Sequence, residues 1–192
     1  MHIGLFGGSF NPPHLAHLIV AETVREACGL DQVLWMPNYQ SPHKQGHQLA
    51  SAAHRLAMTR LAVEEHPGFS VSALEVERGG VSYTYDTILA LQATHPDASF
   101  SLLIGGDSLR TFDTWHRPEE IAARAPLIVY ERAGDVPTDR SARFAAGARF
   151  VEAPLLGISG TDIRARRRAG RSIRYLVPEA VRAYIETHGL YL

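Results

Sequence analysis

Residues 2–29 read HIGLFGGSFNPPHLAHLIVAETVREACG, and this stretch decides the fold. An apolar run of strand length ends in the pair Gly7-Gly8, and a segment with helical periodicity follows it. A strand, a glycine-containing loop and a helix in this order are typical of a parallel sheet with crossover helices. We expect Asn11 to cap the helix and Gly29 to end it. The predicted apolar face of this helix consists of Leu15, Leu18, Ile19 and Val24.

The same alternation of short apolar runs and helical segments continues along the chain. Further strands are predicted at 32–36, 69–77, 100–104, 126–130 and 148–152. Further helices are predicted at 51–65, 83–94, 118–124, 159–169 and 178–188. We therefore expect the α/β class, as a Rossmann-like doubly wound parallel sheet with helices on both faces. Because no linker composition interrupts the 192 residues, a single domain spanning 1–192 is expected.

The composition excludes several classes of protein. Hydrophobic residues make up 45% and charged residues 20% of the chain, close to the globular average. The longest apolar runs are far shorter than the roughly 20 residues of a membrane span, and no secretory leader is recognised, so a soluble cytoplasmic protein is expected. Cys28 is the single cysteine, which excludes an internal disulfide and a zinc site built on thiolates. The formal charge of -1 argues against a polyanion as the main partner.

The loop after the first predicted strand is suited to an anion. Gly7 and Gly8 allow backbone amides to approach a ligand, and the helix that follows presents unpaired N–H groups to phosphate. His14 and His17 are spaced i, i+3, so both imidazoles lie on one face of the first turn. Packing, capping or a metal pair are the alternatives for these histidines. A catalytic metal would need a third protein ligand nearby, so we favour phosphate contact and expect no protein-built metal site.

A second candidate loop lies near the end of the chain. In the segment 155–164, LLGISGTDIR, Ser159 and Asp162 have the spacing of a capping box that opens a helix. Arg164, one turn later, is able to bind a phosphate through two parallel N–H groups. A plain helix cap explains Ser159 and Asp162 equally well.

A third candidate loop follows the predicted buried strand 100–104. Gly105-Gly106-Asp107 could place a carboxylate against a ribose hydroxyl or against a magnesium-bound phosphate. The alternative is that Asp107 only caps a helix. All three loops follow strands or open helices, the places where open parallel sheets collect their ligands.

Other sequence patterns narrow the chemistry. The arginine-rich segment 166–174 suggests nucleic acid, but it lacks interleaved stacking aromatics and the total charge is balanced, so a solvated helix face is preferred. The chain has no G-x-x-x-x-G-K-[ST] loop and no G-x-G-x-x-G after a strand, which argues against kinase-type and dinucleotide-redox chemistry. It also lacks a G-x-S-x-G nucleophile context. Phosphate positioning remains the best supported chemistry.

Two motifs resemble those of the nucleotidyltransferase superfamily. The segment 7–18, GGSFNPPHLAHL, resembles its [HT]-x-G-H signature, and 158–164, ISGTDIR, resembles its I-S-S-T-x-I-R motif. Three intermediate stretches resemble the nicotinate-nucleotide adenylyltransferase family, over essentially the whole chain: 37–44 with its P-H-K ending, 82–87, SYTYDT, and the pairing of 105–107 with 115–117. The segment 132–134 also fits the strand-end arginine of that family. The resemblance departs at Ala16, which replaces a glycine, and at Gly160, which replaces a serine.

This resemblance implies adenylyl transfer from ATP to nicotinate mononucleotide in NAD biosynthesis. It implies His14, His17 and Arg164 as catalytic groups. The implied ATP-binding residues are Gly7, Gly8, Ser9, Phe10, Gly105, Asp107, Ile158, Ser159 and Thr161. The implied mononucleotide-binding residues are Asn38, Lys44, Thr84, Tyr85, Trp115 and Arg132. The C-terminal helices, about 159–192, would complete the ATP site.

The resemblance implies a different kind of contact for each part of the mononucleotide. Lys44, the only lysine, would meet the mononucleotide phosphate, although an ordinary solvated lysine is nearly as good an account. Trp115 would stack on the pyridine ring, with core packing as the alternative. Backbone groups around Thr84 and Tyr85 would meet the nicotinate carboxylate. Mg²⁺ is the expected cofactor, bound mainly through the ATP phosphates.

Three other functions stay open from the sequence. Nicotinamide mononucleotide or phosphopantetheine could replace nicotinate mononucleotide as the acceptor, although the segments around Trp115 and Tyr83 argue against phosphopantetheine. A non-catalytic nucleotide-binding regulator is the remaining alternative, and the departures at Ala16 and Gly160 leave room for it. The expected partners are small molecules, neither nucleic acid nor membrane, with a homo-oligomer left open.

Overall fold

The computed structural model describes residues 1–40, 49–132, 140, 143–154 and 156–192. It contains one sheet of six parallel strands in the order β3-β2-β1-β4-β5-β6. The strands are β1 His2–Gly8, β2 Gln32–Pro37, β3 Phe69–Val71, β4 Ser99–Gly105, β5 Leu127–Arg132 and β6 Arg149–Ala153. This order is the doubly wound, Rossmann-like arrangement that the sequence predicts, and it confirms that prediction.

Eight α-helices and one short 3₁₀ turn accompany these strands in the described residues. The helices are α1 Leu15–Cys28, α2 Ala52–Val63, α3 Leu74–Arg78, α4 Thr84–Thr94, α5 Gly106–Leu109, α6 Pro118–Arg124, α7 Gly160–Arg168 and α8 Glu179–Thr187. The 3₁₀ turn spans Phe112–Thr114. None of the described helices is long and apolar enough to cross a membrane.

Two apolar clusters cover the two faces of the sheet. Alternate residues of β4 point to opposite sides, because successive side chains of a strand alternate. Leu102 and Ile104 pack in one cluster with Ile88 of α4 and Ile121 of α6. Leu103 packs in the other, which includes three residues of α1: Val20, Ala21 and Val24. Helices therefore lie on both sides of the sheet, as predicted.

A third cluster joins the C-terminal helices to α2. Ile163 of α7 and Val181 and Ile185 of α8 are fully buried against Met58 of α2. Fully burying such side chains contributes about 1.5–3 kcal/mol each. This packing holds the start of α7 beside the loop that follows β1.

Three local predictions at the sequence level are wrong. Asn11 does not cap α1; the cap is His14, and the Asn11 side chain instead accepts hydrogen bonds from Ala50 and Tyr191. The predicted strand 69–77 ends at Val71, and α3 follows. The buried face of α1 consists of Ala16, Val20, Ala21 and Val24, so only Val24 of the predicted face is fully buried.

Candidate active site

A cleft of about 440 Å³ opens at the carboxyl ends of β1 and β4, where the strand order reverses. Ligands of open α/β sheets bind at this reversal point, because the loops on either side diverge there. Eight of the predicted site residues line the cleft: Gly7, Gly8, Ser9, Asn38, Thr84, Gly105, Asp107 and Trp115. The structure thus brings residues from several distant segments into a single cavity.

The loop after β1 is shaped by its aromatic residue. Phe10 is 3% exposed, adopts φ 44°, and packs edge-on against His17 with ring centroids 5.3 Å apart. A Cβ on Gly8 would lie only 3.0 Å from this ring. Gly8 therefore leaves room for the Phe10 ring, which in turn packs against His17. Gly7 is exposed and faces the cleft.

The two histidines of the first helical turn form a stacked pair. Their ring centroids lie 3.6 Å apart with 21° between the planes. His14 is 5% exposed, and its backbone N–H donates to Nδ1 of His17 at 3.2 Å. Because Nδ1 of His17 accepts this bond, the neutral ring carries its proton on Nε2. His17 thereby has the tautomer of a hydrogen-bond donor at Nε2.

Arg164 of α7, near the C-terminal end of the chain, contacts the loop between β1 and α1. Arg164 donates from Nη1 to the carbonyl of Asn11 at 2.8 Å and from Nη2 to Oγ1 of Thr161 at 3.2 Å. Ser159 caps α7 by accepting from the N–H of Asp162 at 3.1 Å, as the spacing predicts. A Cβ at Gly160 would come within 3.1 Å of the Asn11 carbonyl. The glycine therefore allows α7 to approach the β1–α1 loop closely.

The end of β4 holds a carboxylate next to the cleft. Gly105 is the cap of α5, and Asp107 lies in the first turn of that short helix. A Cβ on Gly105 would lie 2.6 Å from Oδ1 of Asp107, so glycine leaves the space that this carboxylate occupies. An acidic group in a first helical turn is stabilised by the helix dipole.

Part of the cleft is lined by residues of α3, α4 and the segment after the 3₁₀ turn. Thr84 and Trp115 line it, and the Trp115 ring packs on Phe112 with centroids 5.1 Å apart. The Tyr85 side chain does not line the cleft; it is 6% exposed and lies under Arg117, whose guanidinium is 4.3 Å from the ring centroid. Any contact from Tyr85 to a ligand in the cleft must therefore use its backbone.

Comparison with known proteins shows the family of this chain. Residues 5–166 match the model of the cytidylyltransferase-like family. A protein of Salinibacter ruber described as a probable nicotinate-nucleotide adenylyltransferase is 60% identical over 100% of this chain and 98% of its own length. A protein of Herpetosiphon aurantiacus with the same description is 44% identical over 99% and 98%. The chain belongs to the nicotinate-nucleotide adenylyltransferase family.

Solved structures show the same fold for more distant proteins. A Plasmodium falciparum nicotinic acid mononucleotide adenylyltransferase, solved in complex with NaAD, superposes with a TM-score of 0.82 at 20% identity. The superposition covers 99% of this chain and 97% of the other. At that identity the likeness concerns the fold, which is that of this family.

Not all predicted site residues lie in one place. Among the described residues, the cleft lining does not include His14, His17, Arg164, Ile158, Ser159 or Thr161. These residues come from the first turn of α1 and the start of α7, which meet at Asn11 beside the cleft-lining Ser9. Lys44 lies outside the described residues, as does most of the predicted binding loop 37–48, and so does the side chain of Arg132. Within the described parts, no three histidine, cysteine, aspartate or glutamate side chains gather as metal ligands.

Two buried charged residues of the site were missed at the sequence level. Glu75 of α3 lines the cleft and is 8% exposed; burial raises the pKa of its carboxyl, while hydrogen bonds from Thr87 and Ser82 and the charge of Arg78 oppose this. Arg55 of α2 is 1% exposed, and burial lowers the pKa of its guanidinium. In the sequence both resemble ordinary charges on a solvated surface, and no local signal distinguishes them.

Proposed function

We propose that this protein transfers the adenylyl group of ATP to the phosphate of nicotinate mononucleotide, giving nicotinate adenine dinucleotide and pyrophosphate in NAD biosynthesis. The observation that carries the proposal is the cleft at the β1/β4 reversal point, whose lining combines Gly7, Gly8 and Gly105 with Thr84 and Trp115. The Salinibacter ruber relative, which is 60% identical, is described as a probable nicotinate-nucleotide adenylyltransferase. ATP is an intracellular substrate, so we place the reaction in the cytoplasm.

The ATP end would be formed by Gly7, Gly8, Ser9 and the backbone of Phe10, together with Gly105 and Asp107 at the end of β4. His14, His17 and Arg164 would contact the phosphates. The hydrogen bond from Arg164 to Asn11 supports this grouping, because it joins α7 to the loop that carries the histidines. With Ile158, Ser159 and Thr161 at its start, α7 would bind the departing β and γ phosphates through N–H and hydroxyl groups. The C-terminal helices would thus complete the ATP site.

The mononucleotide end would be formed by Asn38, Trp115 and the start of α4. The indole would stack on the pyridine, and the first N–H groups of α4, at Thr84 and Tyr85, would bind the carboxylate, because a helix N-terminus favours an anion. The buried side chain of Tyr85 is consistent with a backbone role. Lys44 and the side chain of Arg132, which are outside the described residues, would also contact the mononucleotide.

The chemistry requires positioning more than proton transfer. An oxygen of the mononucleotide phosphate attacks the α-phosphorus of ATP in line, and the bond from that phosphorus to the bridging oxygen of pyrophosphate breaks. Because the attacking phosphate is already ionised at neutral pH, no base is needed. Nε2–H of His17 and the guanidinium of Arg164 would stabilise charge that grows on the transferred and departing oxygens.

The residues of the cleft suit magnesium that arrives on ATP. Magnesium prefers oxygen ligands, keeps several waters, and is usually held by one or two carboxylates together with substrate phosphates. Asp107 is such a carboxylate at the ATP end. The ion would be held by the ATP phosphates with Asp107 beside it, and it would neutralise negative charge on them.

The test is pyrophosphate release from ATP and magnesium with nicotinate mononucleotide, nicotinamide mononucleotide or phosphopantetheine, with His17→Ala as the control. We expect nicotinate mononucleotide to be preferred by a large factor and the control to be inactive. Preference for another acceptor would change the assignment of the acceptor substrate and leave adenylyl transfer in place. Release with none of them, in the presence of measurable ATP binding, would indicate a regulator instead.

A further inference from the structure

Arg55 is a fully buried cation in the fold that no ion pair explains. It is 1% exposed, on the face of α2 that points toward the cleft loops. Among the described residues, none of the ion pairs involves it. Burying a charge is costly unless several hydrogen bonds compensate for it. A buried guanidinium that depends on hydrogen bonds alone is a candidate for a role beyond packing.

The hydrogen bonds of Arg55 join three separate segments. Nη1 donates to the carbonyl of Ser9 at 2.9 Å and to Oδ1 of Asn38 at 3.4 Å. Nη2 donates to the carbonyl of Tyr39 at 2.8 Å, and Nε donates to the carbonyl of Ala50 at 3.1 Å. Ser9 belongs to the proposed ATP loop, whereas Asn38 belongs to the proposed mononucleotide side. One planar guanidinium therefore sets the distance between the two loops.

The same contacts continue to α3 and α4. The backbone carbonyl of Tyr39 accepts from Arg55, and the backbone N–H of the same residue donates to Oγ of Ser82 at 3.2 Å. Ser82 in turn hydrogen-bonds the buried carboxyl of Glu75, which also accepts from Thr87 of α4 at 2.8 Å. A connected set of hydrogen-bonded groups thus runs from the loop after β1 to α4.

We infer that Arg55 is a positioning residue that fixes the ATP loop and the mononucleotide loop relative to each other, so that the attacking phosphate is aligned with the α-phosphorus. The inference rests on the proposed function. Misalignment lowers the rate of reaction in the complex with both substrates and leaves the binding of each substrate largely intact. A purely structural residue would instead change stability alone.

Arg55→Lys is the sharpest variant, because it keeps the charge and loses the planar fork. A lysine ammonium has three donors on one atom and cannot reach acceptors that lie on different sides of a guanidinium. We expect kcat to fall by about 10- to 100-fold, since misplacement by about 1 Å costs on that order. The KM for each substrate and the calorimetric Kd for ATP alone should stay within about threefold.

Arg60→Lys is the matched control, because Arg60 lies on the same helix and is exposed. Its kcat should equal that of the wild type. Thermal unfolding of each variant sets an assay temperature at which all are folded. An unchanged kcat in Arg55→Lys, or a loss confined to KM, overturns the inference.

Ser82→Ala serves as the second variant if Arg55→Lys does not fold. It removes the acceptor of the Tyr39 N–H and deletes one hydroxyl. A fall in kcat of about 3- to 10-fold with ATP binding unchanged supports the inference, since a smaller displacement is expected; an unchanged kcat overturns it. A wild type inactive with every acceptor would remove the proposed function itself, whereas an active wild type with an equally active Arg55→Lys removes only the role of Arg55.

Discussion

The backbone N–H of His14 donates to Nδ1 of His17 at 3.2 Å, and the two imidazole rings stack with centroids 3.6 Å apart. One hydrogen bond therefore both caps α1 and selects the tautomer of His17. A neutral imidazole has one donor and one acceptor, so an occupied acceptor at Nδ1 places the proton on Nε2. The cap and the proposed phosphate donor are two parts of the same ring.

This double role separates stability from activity in a His17→Asn variant. The asparagine amide oxygen can still accept from the His14 N–H, but no donor remains at the position of Nε2. We expect the thermal midpoint to stay near that of the wild type and kcat to fall by about 10²–10³, the usual effect of losing one such donor. Pyrophosphate release and a thermal melt measure the two quantities. A kcat within threefold of the wild type would contradict the proposed role of His17.

Arg164→Lys tests the planar fork that joins Asn11 and Thr161. A lysine at this position keeps the charge but cannot donate in two parallel directions. We expect kcat/KM for ATP to fall by about 10- to 100-fold, since one charge-assisted hydrogen bond contributes about 1.5–3 kcal/mol. Arg168→Lys, exposed on the same helix, should match the wild type. Equal values for both variants would show that charge alone matters at 164.

Tyr191→Phe tests the link between the C-terminus and the first loop. The Tyr191 hydroxyl donates to Oδ1 of Asn11 at 2.7 Å, and burial raises the pKa of this phenol, so it stays protonated as a donor. We expect the free energy of unfolding to fall by about 0.5–1.5 kcal/mol, the usual contribution of one hydrogen bond. The KM for ATP should rise a few-fold, because Asn11 also accepts from Arg164.

Tyr175→Phe is the matched control for this variant, since Tyr175 is 80% exposed. Its free energy of unfolding should change by less than about 0.5 kcal/mol, as for most surface substitutions. If denaturant titration gives the two variants the same stability, then the bond to Asn11 does not contribute to holding the C-terminus.

Glu75→Gln tests the pH dependence of stability. Burial raises the pKa of Glu75 above its ordinary value of 4.5, so the folded protein retains a proton that the unfolded chain releases. Its contribution to stability is full below the unfolded pKa and is lost as the pH rises through the folded pKa. A glutamine cannot ionise and does not show this loss.

We therefore expect the stability of Glu75→Gln relative to the wild type to increase across the pH range that begins near 4.5, the ordinary pKa, and extends upward through the raised pKa. Thermal unfolding across that range measures it. Glu77→Gln, exposed on the same helix, is the control and should show no such trend. A difference between Glu75→Gln and the wild type that is constant with pH would mean that this carboxyl titrates equally in both states.

The sequence alone determined the features that depend on near neighbours. Strand and helix alternation predicted the doubly wound sheet, Gly29 ends α1 in a left-handed conformation, and Ser159 caps α7. These depend on side-chain periodicity and on hydrogen bonds over three or four residues, which are encoded locally. The error at 69–77 is also local, because a short apolar run does not distinguish a strand from a helix.

Only the tertiary structure decided which polar residues are buried and what they join. Asn11 lies 180 positions from Tyr191, and Arg55 lies 46 positions from Ser9, yet both pairs are hydrogen-bonded. Arg55 and Glu75 are of residue types that usually lie at the surface. Their burial follows from how α2 and α3 pack beside the cleft loops. The physical reason is that burial and hydrogen-bond partners over such separations are set by the packing of whole elements, whereas a residue's immediate neighbours set only its local conformation.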